Sequence, residues 1–420
     1  HLILLKIHHI IADAWSLKIL IDEWIENYTA QLQGQAPTRE ALPIQYRDYA
    51  TWTLEQLESD RWQTARDYWL DHLSGELPKL ELPTYQNRSA QLHPVGARQK
   101  LVLRTAQYAA LERVATAQKI SLFAVLTASV KTLLYHLTGQ EDLIVGTTIA
   151  GRHRAELAGQ IGFYVNTLPL RTQVHGQRDF HSLARRVHDS LQAAFEHRDF
   201  PFDELVDLLD LSRDTGRTPL FDVLVEQLSA DLDAPHPQLP GVQLEGLELG
   251  STSAKFDLAF RFIDNEEERS LYLEYTASLF RATQVERWLG WYQKLLDQVV
   301  REEVQSHARI DLIGEKEQQQ LLDWGTTLST DTRAFRSIAQ AFEAVVARQP
   351  AAPALRYGEQ SYTYAQVNQA ANRLAQQLLT QHTVTSDRLV AVLTDRSPAL
   401  LVALLIMGVT VASGLVLVRK

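Results

Sequence analysis

His8-His9-Ile10-Ile11-Ala12-Asp13, close behind the apolar run Leu2-Ile3-Leu4-Leu5-Lys6-Ile7, is the stretch on which the fold turns. Two adjacent histidines with an aspartate four residues after the second form a rare combination. The preceding run reads as a short, mostly buried strand. Beyond the motif, Leu17, Leu20, Ile21, Trp24, Ile25 and Tyr28 recur at helical spacing. The motif is therefore expected on a strand-to-helix connection. Such a connection is held rigidly by its scaffold and still left open to substrate.

Composition bounds the rest. A chain of 420 residues, 45% apolar and 22% charged, has room for two or three soluble folded units. Its net charge of −10 argues against a general nucleic-acid role. The absence of cysteine excludes disulfides, thiolate metal sites and a cysteine nucleophile, and fits a cytoplasmic location. The chain opens inside a strand pattern with no basic segment, so no signal peptide is expected. Ser397 to Val418 carries no charge and is long enough to span a bilayer. Gly408, Thr410, Ser413 and Gly414 interrupt it, and its β-branched second half reads as strand. A buried strand-helix-strand is preferred there over a membrane segment.

Periodicity predicts helices over 106–138 (two), 180–197, 202–210 and 282–301. It predicts strands over 142–149, 163–174, 221–227, 256–263 and 271–275. Residues 151–159 read as a loop. Residues 306–334 read as a polar linker, after which the pattern restarts with helices over 335–348 and 365–380 and a short strand at 361–364.

Five segments in order carry a resemblance. They are His8 to Asp13 with Ala14-Trp15-Ser16-Leu17, Tyr46-Arg47-Asp48-Tyr49-Ala50-Thr51-Trp52, Ile161 to Thr167 with Arg171, His197 to Asp203, and Arg213 to Phe221. Together they resemble the condensation domains of nonribosomal peptide synthetases, whose active-site motif is His-His-x-x-x-Asp-Gly. Ala14 stands where that family has glycine, and Gly216 departs from the last segment. Residues 335–406 resemble the start of an AMP-forming adenylation domain, through Tyr362-Thr363-Tyr364-Ala365-Gln366-Val367-Asn368 and Asp395-Arg396-Ser397. Met407-Gly408-Val409-Thr410-Val411 departs from the next adenylation motif, and the later Gly-rich phosphate motif is missing from the sequence.

The resemblance implies an α/β (α+β) chloramphenicol-acetyltransferase-like condensation fold, mostly its second lobe. It implies a condensation domain over 1–305, a linker over 306–334, and the beginning of an adenylation domain over 335–420. Because the chain opens almost on the motif, a fragment is expected, inactive on its own. The reaction implied joins two carrier-bound aminoacyl or peptidyl thioesters through an amide. Upstream and downstream carrier (thiolation) domains are the partners, and they bring 4′-phosphopantetheine. ATP and Mg²⁺ belong to an intact adenylation domain only, and no metal is implied for condensation. The Ile-Ala-Asp-Ala-Trp-Ser context resembles domains that join L-donors to L-acceptors.

His8, His9 and Asp13 form the catalytic motif. His9 can take a proton from the attacking amine or hold the amine in line. Its other reading, a metal-binding or core histidine, lacks a third ligand nearby. His8 is expected to point away from His9 along an extended chain, in a structural role. Asp13 is expected to cap the following helix or to pair with an arginine, for which Arg171 is the choice. Asn166 reads either as a polar group near the substrate channel or as a backbone-bonded structural amide. Tyr46, Asp48 and Trp52 are expected to bury and lock a helix. At Ala14 a methyl group replaces glycine where a substrate arm would pass. Two rival readings are a freestanding acyl-CoA acyltransferase and a non-catalytic carrier-docking remnant.

Overall fold

In the computed structural model the chain divides into two compact units, His1–Gly314 and Glu315–Lys420. The structure describes all residues except 1, 37–38, 40, 58, 89–94, 212–215, 230–240, 243–252, 265–267, 302–303, 305, 327–336, 382–389, 410–413 and 419–420. In the first unit, α1 (Ala14–Leu32), α2 (Tyr46–Leu57) and α3 (Gln63–His72) precede β1 (Gly96–Val102). Helices α4 (Thr105–Gln118) and α5 (Leu122–Thr138) follow, then β2 (Asp142–Ile149) and β3 (Asn166–Gln173). After them come α6 (Phe180–Glu196), α7 (Phe202–Leu208), β4 (Val223–Ser229), β5 (Leu258–Asp264), β6 (Arg269–Thr276) and α8 (Ala282–Val300).

The six strands form one sheet in the order β1-β6-β5-β4-β2-β3. The β2–β4 and β4–β5 pairs are parallel and the others antiparallel. Strand alternation gives the sheet two chemically distinct faces. On one, Phe260 and Phe262 of β5 pack toward Tyr292 of α8, whose hydroxyl is 2.7 Å from Ser129 Oγ of α5. On the other lie Thr148, Glu226, Arg261 and Glu274. Helix α5 is the core of the unit. Ser121 caps its start, Gly139 ends it in the left-handed region, and its residues Ala124 to Leu134 are buried. Among them, Lys131 is sealed from solvent and donates to Leu143 O (3.0 Å) and Leu170 O (2.7 Å). Burial pushes its ammonium down to about 7.

One expectation is corrected here. The run Leu2–Ile7 is not a strand: it joins no sheet, and Leu2, Ile3, Leu4 and Leu5 are 54–76% exposed. A strand exists only by pairing, and no strand of the sheet pairs with this run. The start of the expected linker packs on the first unit. Ser306 Oγ and Ala308 N donate to Gly176 O, His307 N donates to Arg178 O, and Ile310 and Leu312 are buried. Further on, Glu315–Thr326 forms a helix (α9), since Glu, Lys, Gln and Leu are good helix formers. Residues 327–334 of the expected linker lie outside the described residues.

The second unit continues with α10 (Ile338–Arg348), a hairpin of β7 (Pro353–Tyr357) and β8 (Gln360–Thr363), and α11 (Tyr364–Gln381). Strand β9 (Val390–Thr394), α12 (Pro398–Val409) and β10 (Gly414–Val418) complete it. Val367, Ala371 and Ala375 recur every four residues on α11 and form its buried stripe. Strand β10 pairs in parallel with β9, so the uncharged stretch from Ser397 splits into a helix and a strand. Among the described residues no single helix is long and apolar enough to cross a membrane.

Candidate active site

Asp13 organises the motif. It is the N-cap of α1, with Oδ1 accepting the Ser16 N–H at 2.8 Å and the Ser16 hydroxyl 2.6 Å away. Its other oxygen accepts the Tyr164 N–H, and its own N–H donates to Gly162 O, both at 3.2 Å. Arg152 Nη2 reaches the two carboxylate oxygens at 3.0 and 3.2 Å. One carboxylate thus ties together the start of α1, the loop after β2 and the approach to β3. Burial alone would push the Asp13 carboxyl up. The Ser16 bonds and the Arg152 guanidinium outweigh it and hold the carboxyl below the usual range.

Arg152 is itself held through both terminal nitrogens. Its Nη1 donates to Leu157 O and Gln160 O, each at 2.7 Å, and the guanidinium lies over the Tyr164 ring at 4.1 Å. The residue before it, Gly151, sits at φ +65°, and a Cβ there would stand 1.9 Å from Tyr164 O. Only glycine lets the two strands of chain approach so closely. Gly162 does the same job against the Tyr46 ring, 2.2 Å from where its Cβ would be.

His9 is exposed beside this lock. Its Nδ1 lies 2.9 Å from Ala12 O. A carbonyl only accepts, so Nδ1 carries a proton, and in the neutral imidazole Nε2 keeps the lone pair. The edge-on Phe163 ring, 5.3 Å away, fixes the imidazole from the other side. His8 is also exposed, and its Nδ1 accepts the Ile10 N–H at 3.2 Å. The two histidines lie at the start of a turn rather than in extended chain, so strand alternation does not set their directions. Ala14, the first residue of α1, is exposed.

Arg171 is not the partner of Asp13. Its guanidinium pairs with Asp142 (Nη2–Oδ2, 2.7 Å) and donates to Ser74 O and Glu76 O. It stands five residues along β3 from Asn166, about 17 Å at strand rise, which is out of reach of the motif. Asn166 is fully engaged with backbone. It donates to Arg198 O and Phe200 O, both at 2.8 Å, and accepts from Thr167 N and Phe202 N. Tyr46 donates its hydroxyl to Phe163 O, and Trp52 is half-buried against Trp62. Asp48 is not buried: its side chain is 49% exposed and accepts the Gln45 N–H at 2.8 Å, capping α2.

The structure therefore brings His9, Asp13, Tyr46 and Asn166 around the 151–166 loop and leaves Arg171 apart. Arg152 escaped the sequence reading. A Gly-Arg pair directly after a buried strand was the available signal. In the Arg213–Phe221 segment, residues 213–215 lie outside the described residues. Arg217 pairs there with Asp222 at 2.7 Å. Among the described residues no three metal-ligating side chains cluster.

Comparisons with known proteins give the family. Residues 1–322 match the condensation-domain family, and residues 342–417 match the AMP-binding enzyme family. Surfactin synthase subunit 1 of Bacillus subtilis is 35% identical over 416 residues, 99% of this chain. The chain spans 11% of that relative's length. A crystal structure of a four-domain nonribosomal peptide synthetase bound to AMP and glycine superposes with TM-score 0.73 at 18% identity, over 99% of this chain and 32% of that one. The first condensation domain of the CDA synthetase gives 0.58 at 20% identity, over 73% of this chain and 66% of that one. The fold is thus the chloramphenicol-acetyltransferase-like fold of condensation domains. The chain belongs to the nonribosomal peptide synthetase condensation-domain family and carries after it the start of an AMP-binding domain.

Proposed function

We propose that the chain forms amide bonds between two carrier-borne thioesters as part of a nonribosomal peptide synthetase subunit. The acceptor's amine nitrogen attacks the donor's thioester carbonyl and a C–N bond forms. The C–S bond breaks, and the donor's pantetheine thiol leaves. Aminolysis of a thioester is downhill, so positioning of the two arms supplies much of the rate. One proton must leave the amine. His9 Nε2, whose lone pair is kept by the Nδ1 bond to Ala12 O, is the group placed to receive or orient it.

The observation that carries this reading is the pairing of an exposed, tautomer-fixed His9 with a buried Asp13–Arg152 lock. Asp13 then shapes the loop and does not touch substrate. Asn166, Tyr46 and Trp52 hold the walls around it, and Ala14 stands at the edge where the acceptor arm would pass.

Upstream and downstream carrier domains, bearing 4′-phosphopantetheine, are the partners in this reading. The adjoining AMP-binding start ties it to ATP-driven amino acid activation, which is cytoplasmic chemistry. The sequence of 315–420 contains no Gly-rich phosphate loop. The domain division proposed is condensation over 1–305, a partly docked linker over 306–334, and adenylation from 335. The test is product formation. The synthetase subunit carrying this chain, supplied with two loaded carriers, should release dipeptidyl product on the downstream carrier. Product only on the upstream carrier, or none, would overturn the reading.

A further inference from the structure

A chain of polar side chains crosses the sheet on the face turned away from α5 and α8. It starts four residues before Arg152 at Thr148, whose hydroxyl donates to Glu226 of β4. Glu226 Oε2 lies 3.2 Å from Arg261 Nε of β5, and Arg261 Nη2 lies 3.5 Å from Glu274 of β6. The row thus begins beside the loop that grips Asp13 and runs across three further strands.

Arg261 is the unusual member. Both of its contacts are ion-pair distances to carboxylates. Its Nε is buried and has no hydrogen-bond partner among the described residues. A guanidinium offers five donors in a planar fork, and this one is held by charge without being saturated by hydrogen bonds. Its side chain is 35% exposed although Nε itself is buried. The two flanking glutamates decide the ligand's charge. An anionic group would approach against Glu226 and Glu274, whereas a neutral carbonyl oxygen would not.

We infer that Arg261, clamped between Glu226 and Glu274, is a specificity-determining residue that receives an amide carbonyl of the carrier-borne substrate during condensation. The inference rests on the condensation reading above and names what the adjoining sheet face binds. Such carbonyls come from two sources, the peptide of a peptidyl donor and the pantetheine arm.

Two probes separate them: N-acetyl-dialanyl amino-pantetheine, with the thioester replaced by an amide, and N-acetyl amino-pantetheine, which lacks the peptide. Binding of each to the chain is measured by calorimetry for wild type, Arg261→Gln and Arg261→Lys. Arg261→Lys keeps the charge between the glutamates but loses the fork, and guards against misfolding in the other variant. Both variants should bind the dialanyl probe at least tenfold more weakly. Loss confined to that probe assigns the peptide carbonyl, and equal loss for both assigns the arm. Affinities within twofold of wild type for both variants, or no binding of either probe to wild type, would overturn the inference. Steady-state transfer by the synthetase subunit makes the two failures separable. A wild type that binds the probes through Arg261 but never transfers removes the condensation reading and leaves the subsite. Full transfer with KM and kcat unchanged in both variants removes the subsite and leaves the condensation reading.

Discussion

Arg152 Nη2 stands 3.0 Å from Asp13 Oδ1, and both side chains are sealed from solvent. Removing one member of such a pair strands the other's charge in the interior. Arg152→Ala or Asp13→Ala should each cost about 3–5 kcal/mol, read as a lowered urea midpoint of the first unit.

The same pair predicts a coupling pattern. In a double-mutant cycle, Asp13→Asn with Arg152→Gln should show a coupling energy above about 0.5 kcal/mol, because the two share hydrogen bonds. Asp13→Asn with Arg171→Gln should be additive, since Arg171 is paired with Asp142. Additivity in the first cycle and coupling in the second would reverse the assignment of partners.

Gly151 should tolerate no side chain. Its left-handed backbone alone would cost a non-glycine residue about 1–3 kcal/mol. The new Cβ would also fall 1.9 Å from Tyr164 O and push the chain that presents Phe163 to His9. Gly151→Ala should therefore lower both the melting temperature and the transfer rate. A variant that loses neither would contradict the close approach.

Asn166 holds the 198–202 turn by three backbone bonds and accepts a fourth from its neighbour Thr167 N. Asn166→Ala leaves half-buried carbonyls and N–H groups without partners, and about 2–4 kcal/mol of stability should be lost. Asn166→Asp should be no better, because it turns a negative oxygen toward Arg198 O and Phe200 O. Denaturant melts of the two variants check the order.

How far the sequence disclosed all this depends on whether a signal is local. Helices α5, α6 and α8 carry their own apolar stripes and were legible, as were strands β2, β4 and β5. Asp13 as a cap was legible because the cap acts three residues away. Its partner was not, since Arg152 lies 139 residues away and Arg171 was the arginine that closed a segment resembling the family's. Leu2–Ile7 failed for a related reason, because an apolar run fixes a strand only when a neighbour supplies the ladder. Strand β1, rich in Arg, Gln and Lys, went unread because it is an edge strand with no fully buried residue.

His307 gives a pH test of the docked segment after α8. It is fully buried, and burial, with the charges of His136 and Arg186, pushes its imidazole down to about 4. The unfolded chain takes up this proton near pH 6.5 and the folded chain only near 4, so its stabilisation is complete above 6.5. As pH falls through that window about 3 kcal/mol should be lost. His307→Gln should flatten the stability profile between pH 6.5 and 4 relative to wild type. Parallel profiles would show that this residue does not titrate in that window.

The most direct measurement is single-turnover peptidyl transfer between two loaded carriers by the synthetase subunit, comparing wild type with His9→Ala at matched melting temperature. His9 Nε2 at the reacting amine implies a rate loss of about 10²-fold or more, with substrate binding unchanged. Transfer by His9→Ala at the wild-type rate would remove His9, and the reading built on it, from the chemistry.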